Sequence, residues 1–74
     1  MRGCVEFQLR AEFIELDNML KAMNLAASGA EAKQYIVSGA VKINGKVETR
    51  IRRKLHSGDS VEFKENQIKI VGQN

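Results

Sequence analysis

Asn44-Gly45, set between Val41-Lys42-Ile43 and Lys46-Val47-Glu48-Thr49, is the most restrictive stretch of the chain. Asn and Gly tolerate the positive φ that both central residues of a type I′ turn require, and that turn matches the twist of two antiparallel strands. Val41 and Ile43 alternate with Lys42 as a half-buried strand does. A hairpin is therefore predicted here, and the flanking segments must pack against it. Upstream, Ser28-Gly29-Ala30-Glu31 reads as a helix start, because a Ser hydroxyl can accept from the N–H three residues on while Glu31 reaches back. The helix is carried by Ala32 to Ser38 and stopped by Gly39, which suits a left-handed C-cap. Downstream, Arg50-Ile51-Arg52-Arg53-Lys54 follows at once. On a strand, Arg50, Arg52 and Lys54 share one side while Ile51 turns inward, and Arg53 must find a partner or bend out to solvent.

The rest of the chain surrounds this unit. Val5, Phe7 and Leu9 alternate with Glu6, Gln8 and Arg10, a short strand. From about Glu12 to Met23 the period becomes helical, with Phe13, Leu16, Leu20 and Met23 on one stripe and Met19 beside it. That helix has no clear cap at its start, and Asn24 is its left-handed stop. Ala30, Ala32, Ile36 and Val37 are small or apolar, which lets the two helices approach closely. Tyr35 among them reads as a half-buried core residue rather than a ring for base stacking. Beyond the basic run, Ser57-Gly58-Asp59 is a turn and Ser60 to Lys64 a strand with Val61 and Phe63 inward. Glu65-Asn66 is the next predicted turn, and Ile68 and Ile70 face inward on the return. The expectation is an α+β fold: two packed helices beside a small, mainly antiparallel sheet of about five short strands. With 74 residues the chain reads as one domain, since a chain of this size buries only about 60% of its unfolded surface.

Charge is what separates one segment from the others. Lys33, Lys42, Lys46, Arg50, Arg52, Arg53 and Lys54 stand against the single anion Glu48, so residues 33–54 carry +6 while the whole chain carries +3. A balanced body with one concentrated basic segment points to a polyanionic partner, nucleic acid first, against the plainer reading of a solvated basic surface. Arginine's planar fork suits phosphates and base edges better than a lysine ammonium. The N–H groups at the start of the second helix, around Gly29 and Ala30, can also accept a phosphate. No aromatic residue lies within the basic run, which favours reading the shape of folded RNA over stacking along a single strand.

Catalysis finds no support. His56 is the only histidine and has no Cys or acidic neighbour at metal-ligand spacing, so no metal site is expected. Glycines form no phosphate loop, and no nucleophile has a visible base. Cys4 is the only cysteine, an incidental thiol that suits a reducing compartment. No apolar run approaches the length of a membrane span, and Glu6, Gln8 and Arg10 interrupt any secretory segment. The expectation is a cytoplasmic, non-catalytic chain without cofactor or membrane partner.

An ordered set of residues carries a resemblance: Leu16-Asp17 with Leu20, Ser28-Gly29-Ala30-Glu31-Ala32-Lys33 with Ile36, Gly39-Ala40-Val41-Lys42-Ile43-Asn44-Gly45, and Gly58-Asp59-Ser60-Val61. Together, over about Phe13 to Phe63, they resemble the S-four RNA-binding domain, the alpha-L motif of a small-subunit ribosomal protein. Ser28-Gly29-Ala30 and Glu48-Thr49-Arg50 look most like its stand-alone, bacterial YbcJ-like branch. The resemblance implies RNA binding through the helix pair and the hairpin. Many family members carry arginine where this chain has Glu15 and Gly29; here Lys33 and the Arg50 to Lys54 run supply charge instead.

The sequence thus predicts a monomeric binder of structured RNA, ribosomal or transfer, with ribosome association as one setting. Ser28, Lys33, Lys42, Asn44, Lys46, Arg50, Arg52, Arg53 and Lys54 form the expected RNA-binding set, dominated by phosphate contacts. The competing reading is a protein-interaction or ribosome-assembly module whose basic face meets an acidic protein. A ubiquitin-like sulfur carrier is disfavoured, since Gly72-Gln73-Asn74 lacks the terminal glycine pair.

Overall fold

The chain runs through β1 (Gly3–Gln8), β2 (Ile14–Glu15), α1 (Leu16–Ala22), α2 (Gly29–Val37), β3 (Val41–Ile43), β4 (Lys46–Val47), β5 (Lys54–Leu55), β6 (Ser60–Phe63) and β7 (Asn66–Val71) in a computed structural model that describes residues 3–72. The Cys4 side chain, together with Gln73 and Asn74, lies outside what is described. Asn44 and Gly45 take φ values of 53° and 87°, and Ile43 pairs with Lys46 across them, so the hairpin forms as its turn chemistry requires.

Five strands make one sheet in the order β1-β7-β6-β3-β4. All its neighbours are antiparallel except β1 and β7, which run parallel. A parallel pair needs a long crossover, and nearly the whole chain supplies it. One face of the sheet offers Val41, Ile43, Val61, Phe63, Ile68 and Ile70, all buried, to Leu16, Met19 and Leu20 of α1 and Ala32 and Ile36 of α2. The result is the expected α+β fold, two helices packed beside a mainly antiparallel sheet. Tyr35 packs on this core with its ring centroid 4.7 Å from that of Phe63.

Local signals at α2 hold in detail. Ser28 Oγ accepts from Glu31 N at 3.2 Å, while Glu31 Oε1 accepts from Ala27 N at 2.8 Å; the reciprocal bond lands one residue upstream of the usual capping box. Gly39, at φ 83°, follows the helix end. Only one stripe of α2 is buried: Ala32 is inside, while Ala30 is exposed and Val37 is 54% exposed. Asn24 has φ 60° and terminates α1 as expected.

Three expectations fail, each for a tertiary reason. The first helix starts at Leu16 rather than near Glu12, because Ile14 and Glu15 pair with Leu55 and Lys54 as a second, two-stranded sheet. The expected five-stranded sheet is present, and among the described residues β2 and β5 add a second, two-stranded one. Residues 48–53 are not a strand but a loop with a turn at Ile51-Arg52, closed by Arg53 N donating to Arg50 O at 3.4 Å. The alternation expected for Arg50, Arg52 and Lys54 is lost with it. Finally, the β6–β7 turn is Lys64-Glu65, one residue earlier than expected, because Phe63 pairs with Asn66 and Lys64 takes the positive φ of 56°.

Candidate nucleic-acid interface

Backbone and side chain together shape the basic loop. The first N–H groups of a helix have no partner within it, and Glu15 before α1 makes no side-chain cap. The loop provides one instead: Leu16 N donates to Arg53 O at 2.8 Å and Asp17 N to Ile51 O at 3.2 Å. Ile51 packs against the core, which is the inward anchor the sequence suggested.

Glu48 is the third restraint. It is only 8% exposed, and its carboxylate accepts from Arg50 N at 3.0 Å, Arg50 Nε at 3.0 Å, Arg50 Nη2 at 3.1 Å and Arg53 Nη1 at 2.9 Å. A buried charge is tolerable when paired and hydrogen-bonded in this way. Arg50's side-chain hydrogen bonds, reinforced by its backbone N–H and by Arg53 and opposed by burial, hold the Glu48 carboxyl at about 2, against an ordinary 4.5. The same bonds raise the Arg50 guanidinium. Arg53 thereby has the partner it needed. The Arg50 side chain stays 74% exposed and Arg53 26% exposed, so the guanidinium edges not used by Glu48 keep donors for other acceptors.

Two shallow depressions meet at Arg52. Arg50, Arg52, Arg53, Lys54 and His56 line one; Asp17, Gly29, Ile51, Lys33 and Arg52 line the other. The loop cations are thus brought beside the start of α1 and the first turns of α2. Lys21, absent from the sequence-derived set, belongs here too: its Nζ lies 3.9 Å from where a β-carbon on Gly29 would stand. It projects from the end of α1 toward the start of α2.

Other expected residues go elsewhere. Lys42 points away from the core on β3, opposite Glu62 of β6, and lines a separate groove with Lys64 and Glu65. Lys46 is exposed beyond the hairpin turn and lines neither depression. Asn44 is occupied structurally: Nδ2 donates to Asp59 Oδ1 at 3.1 Å and Oδ1 accepts from Ser60 N at 2.9 Å. Ser28 spends its hydroxyl on Glu31 N. The expected single positive surface is therefore smaller than the charge count suggested. It runs from α2 to the loop and leaves the hairpin tip out.

One residue near the loop is not where its spacing predicts. Phe13, expected on a helical core stripe, is 36% exposed and sits 6.0 Å from His56, ring centroid to centroid. The available signal was Ile14, an apolar residue off the helical stripe and in register with Leu55 once paired. Among the described residues, no cluster of three His, Cys, Asp or Glu side chains is placed to hold a metal, and no helix is long and apolar enough to cross a membrane.

Comparison with known proteins places this geometry. A family model described as the S4 domain matches residues 7–71. YbcJ of Escherichia coli (strain K12), whose name assigns it RNA binding provisionally, is 41% identical over 58 residues, or 78% of this chain and 83% of that protein. An uncharacterized YbcJ of Shigella flexneri matches to the same extent. The solution structure of YbcJ from E. coli, described as revealing an alpha-L motif involved in RNA binding, has a TM-score of 0.68 and 39% identity. The match covers 89% of this chain and 85% of that one.

Proposed function

We infer, from a chain that belongs to the S4 domain family, that its activity is to bind RNA without catalysing a reaction on it. Structured RNA, ribosomal or transfer, is the substrate class best suited to the surface, and phosphate contacts dominate. One observation carries this assignment: Arg52 lines both depressions, joining Arg50, Arg53, Lys54 and His56 to Lys33 and the α2 N-terminus. Cations lining two adjoining depressions on a braced loop offer several phosphate contacts to one folded backbone, and counterion release then supplies the affinity. The set proposed to touch RNA is Lys21, Lys33, Arg50, Arg52, Arg53 and Lys54. Lys42, Lys46 and Asn44 lie outside it. The chain acts as one unit and as a monomer in this reading, with ribosome-associated RNA among its natural settings.

The test is a titration of the full chain against a transfer RNA and a ribosomal RNA hairpin over a range of salt concentrations. Log affinity should fall linearly with log salt for both. Salt-independent binding, or none, would overturn the proposal. A partner retained from a lysate after nuclease digestion would instead favour an acidic protein ligand.

A further inference from the structure

Phe13 is a large apolar residue that the core does not use. It is 36% exposed, it is absent from the buried cluster and from the side chains packed against it, and it precedes the short strand β2 rather than sitting in a helix. Pairing of Ile14 with Leu55 and Glu15 with Lys54 brings residue 13 alongside residue 56. The rings of Phe13 and His56 then lie 6.0 Å apart with their planes tilted by 51°. Lys54 Nζ is 4.9 Å from the Phe13 centroid. His56 and Lys54 line the same depression as Arg50, Arg52 and Arg53. An exposed pair of rings thus stands at the rim of the densest group of cations among the described residues.

We propose that Phe13 and His56 form a stacking platform for one unpaired RNA base, with Lys54 and the neighbouring arginines holding the phosphates around it. The proposal deepens the RNA-binding assignment and rests on it. The tilt leaves no parallel slot between the rings, so the base lies on the open face of one ring while its edge meets the other. Stacking of this kind tolerates any base, because every base presents a π-face. One platform accommodates one base, which fits a bulged or loop nucleotide beside a stem rather than a long single strand. The sequence alone argues against stacking because no aromatic lies within residues 50–54; strand pairing brings Phe13 to the edge of that run, beside His56.

The experiment uses the full chain and two probes: an RNA stem carrying one unpaired 2-aminopurine, and the same stem fully paired. The wild type should prefer the bulged stem about tenfold and quench the probe's fluorescence. Phe13→Leu, which keeps the apolar volume without the π-face, should lose that preference and the quench while binding the paired stem unchanged. His56→Ala, an exposed position, should lose part of both, and it keeps the test decisive should Phe13→Leu disturb folding. Equal wild-type affinity for the two stems would overturn the proposal, as would a preference that survives both substitutions. Failure to bind either stem would overturn the RNA-binding assignment itself.

Discussion

Arg53 Nη1 lies 2.9 Å from Glu48 Oε1, and the same carboxylate receives Arg50 through its backbone N–H and through Nε and Nη2 on one edge of its guanidinium. The lone anion of the basic segment is therefore its internal brace. Its neutralising charge is set against two arginines, but it fixes the loop whose carbonyls cap α1.

Glu48→Gln should test that role, because positioning and charge predict opposite signs. Removing an anion from a polyanion-binding surface should raise RNA affinity if charge alone matters. If the carboxylate positions the loop, affinity should fall several-fold. Stability should drop by about 1–3 kcal/mol, the usual cost of losing charged hydrogen bonds. RNA titration paired with urea unfolding reads both quantities.

Acid should unfold the protein partly through the same group. The folded carboxyl titrates at about 2 and its ordinary value is 4.5, so the folded form binds its proton less readily than the unfolded form. The resulting stabilisation is complete above about pH 4.5 and is lost as pH falls toward 2. Asp59 contributes in the same direction: burial opposes the shift, but the His56 N–H and the Asn44 amide lower its carboxyl below the usual range. Thermal melts across that interval should show a steep loss in the wild type and a shallower one in Glu48→Gln.

Two cations of equal formal charge should behave differently. Arg52→Ala should weaken binding to every structured RNA and lower the salt slope by about one. Lys42→Ala, on the outward face of the sheet opposite Glu62, should leave the slope within error. Equal effects would mean that RNA wraps onto the sheet face.

Asn44 should prove structural. Asn44→Ala removes the bonds to Asp59 and to Ser60 N and places a β-carbon residue without a polar partner at φ 53°. A loss of about 1–2 kcal/mol with an unchanged salt slope is expected, from denaturant unfolding and RNA titration together.

The part of the molecule proposed to face RNA is half legible in the sequence. Ser28, Gly39, Asn44 and Gly45 announce their conformations, because caps and turns are settled by residues a few positions apart. The inward faces of β3, β6 and β7 were readable from alternation for the same reason. Arg50 to Lys54 was misread as a strand, since its alternation of Ile with cations is compatible with one. Nothing local says that Glu48 would turn back and hold both Arg50 and Arg53. Phe13 was misplaced because its spacing to Leu16 and Leu20 also fits a helix.

The amino-acid order by itself determined the hairpin, the helix ends, the apolar faces and the gathering of positive charge within one segment. Which of those charges share a surface was decided only when Ile14-Glu15 met Lys54-Leu55 and the loop carbonyls of Ile51 and Arg53 met the start of α1. Those contacts join positions from 34 to 41 residues apart. The backbone groups that make these bonds are the same at every residue, so apart from the apolar pair Ile14 and Leu55 the pattern of residues carries little trace of them.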